Sequence, residues 1–247
     1  MINLMTHLFQ PIILDCKNLR VERQKKNNEI TLYYLLNHSI QEIKKICNVI
    51  ALDSALDYLQ INNEQLLQKC REDILFAKLL SSKISILSSR QGSKDESFVI
   101  ETINKTCSQL NINIENLPNT KYRPTKNGII LDKKKYEELL EKKEISKNDC
   151  LKSFDAKISG VINGWIFAKI TYTNGGHQDN VFEEAHQFAQ WALQYGNSNE
   201  IYVLLIDTDL MVQLNELKEK YHKNNILVVN HVEFQNYILY HFSCESK

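Results

Sequence analysis

Apolar residues recur along this chain in two rhythms. From 35 to 88 they fall at helical spacing: Ile40, Ile43, Ile46, Val49, Ile50, Ala55 and Leu59, with a break expected near Asp53-Ser54, then Leu66, Leu67, Cys70, Ile74, Leu75, Ala77 and Leu79. That pattern predicts a helical region. Upstream, Leu4, Leu8 and Ile12-Ile13 predict a short helix interrupted by Pro11, since proline removes a helix hydrogen bond. The charged run 20–28 is expected to be solvated.

The run from Ser88 to Glu96 breaks the helical pattern. Gly92 tolerates positive φ, and Ser93 followed by Glu96 has capping-box spacing. A helix is predicted over 94–110, with Val99, Ile103, Cys107 and Leu110 inward. Residues 111–128 read as a loop around Pro118 and Pro124, followed by a short strand at 128–131. A highly charged helix over 133–143 has acids and bases at pairing distance, as a solvated helix face would.

The second rhythm sets in after 150. Runs at 154–159 and 165–173 predict a hairpin turning at Asn163-Gly164. Val181, Phe182, Ala185, Phe188, Ala189, Ala192 and Leu193 form one apolar face of a helix over 181–194, ended by Gly196. The unbroken apolar run 201–206 suits a strand buried on both faces. An amphipathic helix at 210–222, a short strand at 226–229 and a helix at 231–242 follow. Together these predict an α/β (α+β) protein: a helical N-terminal region over 1–88, then a mixed central sheet flanked by helices over 89–247.

Composition adds limits. Of 247 residues 43% are hydrophobic, which excludes a disordered chain. Bases and acids balance at 30 each, yet 1–150 is mildly basic and 151–247 mildly acidic. The six cysteines are scattered without zinc or redox spacing, which predicts reduced thiols and a cytoplasmic location. No apolar run approaches the roughly 20 residues of a membrane span.

The stretch 155–193 carries most of the candidate chemistry. Asp155 sits in an apolar run, either as a ligand for a hard cation such as Mg²⁺ or as an edge-strand acid facing water. Lys169 lies between Ala168 and Ile170, either paired with Asp155 across the hairpin or reaching out at a sheet edge. Gly175-Gly176-His177-Gln178-Asp179-Asn180 leads into the helix. Asp179 or Asn180 could cap it, the glycines allow close approach of a phosphate, and the helix N-terminus favours an anion. Gln178 could hold a water, and His177 is either a base or a solvated loop residue. Glu183 and Glu184, placed in the first turn, could simply complement the helix dipole. Metal-assisted phosphodiester hydrolysis needs a cation-binding acid and a positive group to steady charge, and Asp155 and Lys169 are the candidates.

Ser-Arg-Gln-Gly-Ser-Lys-Asp-Glu at 89–96, Phe154-Asp155-Ala156-Lys157-Ile158, and Phe167-Ala168-Lys169 leading into Gly175 to Phe182 resemble type II restriction endonucleases of the PD-(D/E)XK nuclease superfamily. The resemblance spans roughly 88–230. It implies Mg²⁺-dependent cleavage of double-stranded DNA at a short site by a homodimer. A partner DNA methyltransferase would protect the host. By position, Asp155 is the motif aspartate, Lys169 the motif lysine and Glu96 the acid on an early helix. The second acid, two residues before the lysine, is Phe167 here, which cannot bind metal. Glu184 or Glu183 would supply the carboxylate, with Gln178 as a polar substitute. Arg90, Gln91, Lys94, Arg123, Lys126, His177 and Asn180 would contact bases or phosphates.

Three rivals stand beside this reading. One is a repair or structure-selective nuclease on the same core. Another is a catalytically dead DNA-binding protein, as Phe167 would suit. The last is an interaction protein with no nucleic-acid role.

Overall fold

A computed structural model describes residues 6–88, 92–117, 121–171, 178–222 and 225–243, without the side chains of 6–11, 178 and 179. Among the described residues it is a mixed α/β protein with ten α-helices and a mixed five-stranded sheet. The chain divides into two compact units. Leu14–Gly92 form one, and Met1–Ile13 with Ser93–Lys247 form the other.

The first unit is helical. Helix α1 (Thr6–Asn37), of which the residues from Leu14 on belong to this unit, runs through Pro11 without the expected interruption. Pro11 is the sixth residue of this 32-residue helix and costs it one backbone hydrogen bond among many. Helices α2 (Ile40–Ile46), α3 (Val49–Leu59), α4 (Asn63–Glu72) and α5 (Ile74–Ile84) follow. Their breaks fall at polar caps and not near Asp53-Ser54, which lie inside α3. Asn48 accepts from Ala51 N–H, Asn62 and Gln65 form a capping box, and Asp73 accepts from Leu75 and Phe76 N–H. Leu35, Ile43, Leu52, Leu66, Cys70, Ala77 and Ile84 make the core. The charged run in α1 is anchored at points: Gln24 donates to Ser85 Oγ at 2.9 Å, and Asn27 to the Ile86 carbonyl at 2.8 Å.

The second unit opens with α6 (Gly92–Cys107) and a 3-10 turn at Ser108–Leu110. Ser93 therefore lies inside the helix, not at its cap, and Glu96 is free for a partner elsewhere. Val99, Ile100, Ile103 and Cys107 are buried. The expected loop over 111–128 instead holds two short strands, β1 (Ile112–Asn116) and β2 (Tyr122–Pro124). In β1 only Ile112 and Ile114 are buried, so two apolar residues among asparagines were too faint a signal for a strand. Strand β2 pairs with β3 (Ile130–Asp132) in a separate hairpin, and α7 (Lys133–Glu141) follows.

The main sheet has the order β1-β4-β5-β6-β7, from β4 (Ala156–Gly160), β5 (Asn163–Thr171), β6 (Glu200–Thr208) and β7 (Ile226–Val229). Strands β1, β4 and β5 are antiparallel, while β5, β6 and β7 are parallel. The β4–β5 turn falls at Val161-Ile162, not at Asn163-Gly164. Gly160 takes φ +117° just before it. Gly164 lies within β5, where a Cβ would overlap the Ile201 carbonyl oxygen of β6.

Parallel strands need crossovers. Here α8 (Gln178–Tyr195) links β5 to β6 and α9 (Met211–Tyr221) links β6 to β7. Both pack on one face, with Phe188, Trp191, Leu214 and Leu217 against Phe167, Leu204, Ile206 and Val228. Asp207 follows Ile206 and so points to the other face. There it meets His231 Nδ1, at 2.7 Å, on α10 (His231–Phe242). Gln235 ties α10 to α6 by donating to Thr106 Oγ1 at 3.1 Å. No helix among the described residues is long and apolar enough to cross a membrane.

Aromatic packing under β5 fixes α8. The Phe188 ring stacks on Phe167 at 5.3 Å and meets Phe154 edge-on at 5.5 Å. Replacing Phe188 by alanine should cost about 3–5 kcal/mol of unfolding free energy, read from urea denaturation. A cost below about 1 kcal/mol would show that this layer does not hold the fold together.

Candidate active site

Asp155 stands just ahead of β4 and is pinned on both sides. Its N–H donates to the Ile166 carbonyl at 2.9 Å, and its carbonyl accepts from Leu117 N–H at 2.8 Å. Its side-chain Oδ2 accepts from Ala168 N–H at 2.8 Å. The carboxyl is thus held at the place where β1, β4 and β5 meet. It opens on a cavity of about 390 Å³ lined also by Ser93, Glu96, Ser97, Asn116 and Leu117.

Lys169 reaches the same place from β5. Its direct partner is Glu96 on α6, with Nζ 2.8 Å from Oε1, and not Asp155 as the hairpin alone suggested. Both side chains are largely buried, at 17% and 15% exposure. The ammonium also lies 4.8 Å from the centre of the Phe167 ring, two residues back on the strand. Asp155 already gives Oδ2 to a backbone N–H, so α6 supplies the lysine's nearer anion.

The electrostatics make these groups one cluster. Burial pushes the Asp155 carboxyl up; Lys169 and the Ala168 N–H oppose this, Glu96 and Glu184 reinforce it, and the result is about 7. Burial presses Lys169 down, but Asp155 and Glu96 outweigh it and hold the ammonium above the ordinary lysine value. Glu184 acts on both groups from α8 and also pairs with Lys152 at 3.6 Å. Glu183 does not share this position: it is exposed and accepts from Gln187 at 3.0 Å. Helix α8 begins at Gln178, so Asp179 and Asn180 lie inside its first turn, and the two glutamates lie one turn further in than expected.

The positions of the other candidates differ. Lys94 is exposed on α6, and Lys126 is exposed beside β2. Arg123 and Asn180 line a second cavity together with Glu184. Arg90, Gln91 and His177 lie outside the described residues, as does the side chain of Gln178. Sequence reasoning missed Asn116 and Leu117 because their strand was read as loop. It also missed Lys152, three residues before Asp155, and Asp95, a buried acid beside Glu96.

Among the described residues no three His, Cys, Asp or Glu side chains are grouped as a ready metal-ligand set. Mg²⁺ asks for less: one or two carboxylates, with waters and substrate oxygens completing its shell. Asp155 and Glu96 line one polar cavity and Glu184 is within electrostatic reach. The two carboxylates at the cavity, Asp155 and Glu96, are hard oxygen donors of the kind a small cation takes. Phe167 is 1% exposed, turned into the aromatic core, and offers nothing to it. No protein-family model, curated protein or solved structure matches the chain.

The raised Asp155 carboxyl has a consequence for stability. An unfolded aspartate titrates near about 3.9, below its folded value, so the folded state binds the extra proton. This group therefore weakens the fold as pH rises from about 4 to about 7, and the whole penalty is present above that. Asp155→Asn keeps an acceptor for Ala168 N–H and removes the charge. In EDTA at pH 8 the variant should melt at a higher temperature than the wild type, and the gap should close as pH falls toward 4. A variant that is less stable at pH 8 would refute the buried-charge account.

Proposed function

We infer that this protein is a type II site-specific deoxyribonuclease of restriction-endonuclease-like architecture. It hydrolyses phosphodiester bonds in double-stranded DNA with Mg²⁺. The observation that carries this reading is that Asp155, just ahead of β4, and Glu96, on α6, line one cavity, while Lys169 of β5 pairs with that Glu96. The sheet supports it: antiparallel strands bear the acid and the lysine, and a helix crossover then leads to a parallel strand.

On this reading Asp155 and Glu184 would hold Mg²⁺, with Glu96 as a further ligand once it releases Lys169. When bound, the ion would polarise the phosphate and supply hydroxide near neutral pH. Asp155 is already oriented by its bond from Ala168 N–H. Lys169 would stabilise the negative charge that builds on the phosphate, and Glu96 and the Phe167 ring hold its ammonium in place meanwhile. Burial of the pair keeps water from screening it. Cutting both strands calls for two such sites, hence a homodimer. A methyltransferase acting on the same sequence would protect the host, and both would work in the cytoplasm.

A second reading has its own observation. Phe167 fills the position of the second acid, and Glu96 is already committed to Lys169. If Glu184 does not complete the site, the protein binds DNA without cutting it. Cleavage assays on unmethylated phage DNA separate the two. Discrete fragments should form with Mg²⁺, vanish with EDTA, and fall at least about 100-fold in rate in Asp155→Ala and Lys169→Ala. Glu184→Gln should lose most activity, whereas Glu183→Gln should stay within about twofold. Wild-type protein that never cuts yet binds DNA would establish the second reading.

A further inference from the structure

A second cavity, of about 450 Å³, has Glu184 in its wall. Three cations line it: Arg123 from β2, Lys147 from a 3-10 turn and Lys152 from the segment leading to Asp155. Asn180, Glu184 and Gln187 face it from α8 at spacings of four and three, one stripe of the helix. Asn180 is in the first turn of α8, so the positive end of the helix borders the same wall.

Charges here are poorly compensated. Among the described residues no carboxylate pairs with Arg123 or Lys147, and Lys152 meets only Glu184, at 3.6 Å. Lysines in and next to α7 contrast with them: Lys133 pairs with Glu137, and Lys135 and Lys142 pair with Glu138. The Arg123 guanidinium lies 5.0 Å from the Tyr136 ring centre, and its buried Nε has no hydrogen-bond acceptor. Glu183 is the other acid at the rim, and Gln187 donates to it at 3.0 Å. Glu184 is shared with the Asp155 cluster.

We propose that this cavity is a backbone-phosphate subsite for the DNA strand whose reacting phosphate sits at Asp155, with Arg123, Lys147 and Lys152 as its cationic wall. The proposal rests on the nuclease reading and adds to it where the strand runs. Lys152 stands three positions before Asp155, a Cα span of at most about 11 Å. The subsite therefore meets a phosphate one or two nucleotides from the scissile bond. Exposed lysines bind phosphate as point charges, so the subsite positions the strand and does not read its sequence.

The test is equilibrium binding of a short fluorescent duplex to the full chain in EDTA, at several salt concentrations, with cleavage measured separately. Lys147 and Lys152 are exposed, so Lys147→Ala/Lys152→Ala should fold normally. It should bind about tenfold more weakly, and its slope of log affinity against log salt should fall by about two. The cleavage site should not change. Lys133→Ala/Lys135→Ala on α7 should bind as wild type. Wild-type affinity and slope in the cavity variant would overturn the subsite, even if the protein cuts DNA normally. A reduced slope in a protein that never cuts would keep the subsite and sink the nuclease reading. Absence of any duplex binding by the wild type would sink both. Inorganic phosphate at matched ionic strength should not displace the duplex; displacement would make this a free-phosphate site and overturn the strand assignment.

Discussion

Lys169 in the middle of the sheet is the constraint to which the site answers. An ammonium cannot be buried without an anion close by. Three acids from three elements act on it: Glu96 from α6 by direct contact, and Asp155 from the lip of β4 and Glu184 from α8 through their charge. Only Glu96 makes the short contact. The other two act over longer range, so the cluster holds more negative than positive charge, and burial drives the Asp155 carboxyl toward its protonated form. Such a site is costly to a fold whose only aim is stability. It is easier to understand where a cation and a phosphate are to be bound.

The backbone makes the arrangement possible. Strand β5 is antiparallel to β4 on one side and parallel to β6 on the other. It is therefore where a local hairpin, carrying Asp155 and Lys169, joins a crossover helix carrying Glu184. Gly164 lets β5 lie close to β6, and the Phe154, Phe167 and Phe188 rings set how α8 sits beneath the sheet. Phe167 has two tasks at once. It fills the core, and it offers its face to the Lys169 ammonium. A carboxylate in its place would have to be buried under α8, so the aromatic packing and the missing second acid are one choice made by this chain.

The sequence made some of this visible and hid the rest for physical reasons. Strong periodicity marked α8, the buried strand β6 and the helical run before Gly92. The apolar setting of Asp155 and Lys169 marked them as unusual before any geometry was known. Strand β1 was hidden because only Ile112 and Ile114 carry its apolar signal. With it went Asn116 and Leu117 on the cavity wall. The helix breaks at Asn48, Asn62 and Asp73 were written in capping side chains and not in the hydrophobic pattern. Capping-box spacing at Ser93 and Glu96 misled, because Glu96 has a stronger partner in Lys169 than in a helix N-terminus. Choosing Glu184 over Glu183 depended on the start of α8, three residues earlier than the apolar stripe suggested.

Glu184 lines the second cavity and also acts electrostatically on the Asp155 cluster. It faces Asp155 and Lys169 electrostatically on one side and meets Lys152 on the other. An acid placed between a cation-seeking centre and a basic hollow tends to keep an anion from settling across both. On the nuclease reading, a metal ion drawing on Glu184 would relax its hold on Lys152, and the hollow would then be more attractive to phosphate. Metal and strand would in that case favour each other's binding through one side chain, since coupling between two sites is reciprocal. Such a linkage needs no movement of the sheet, only a carboxylate with two possible partners.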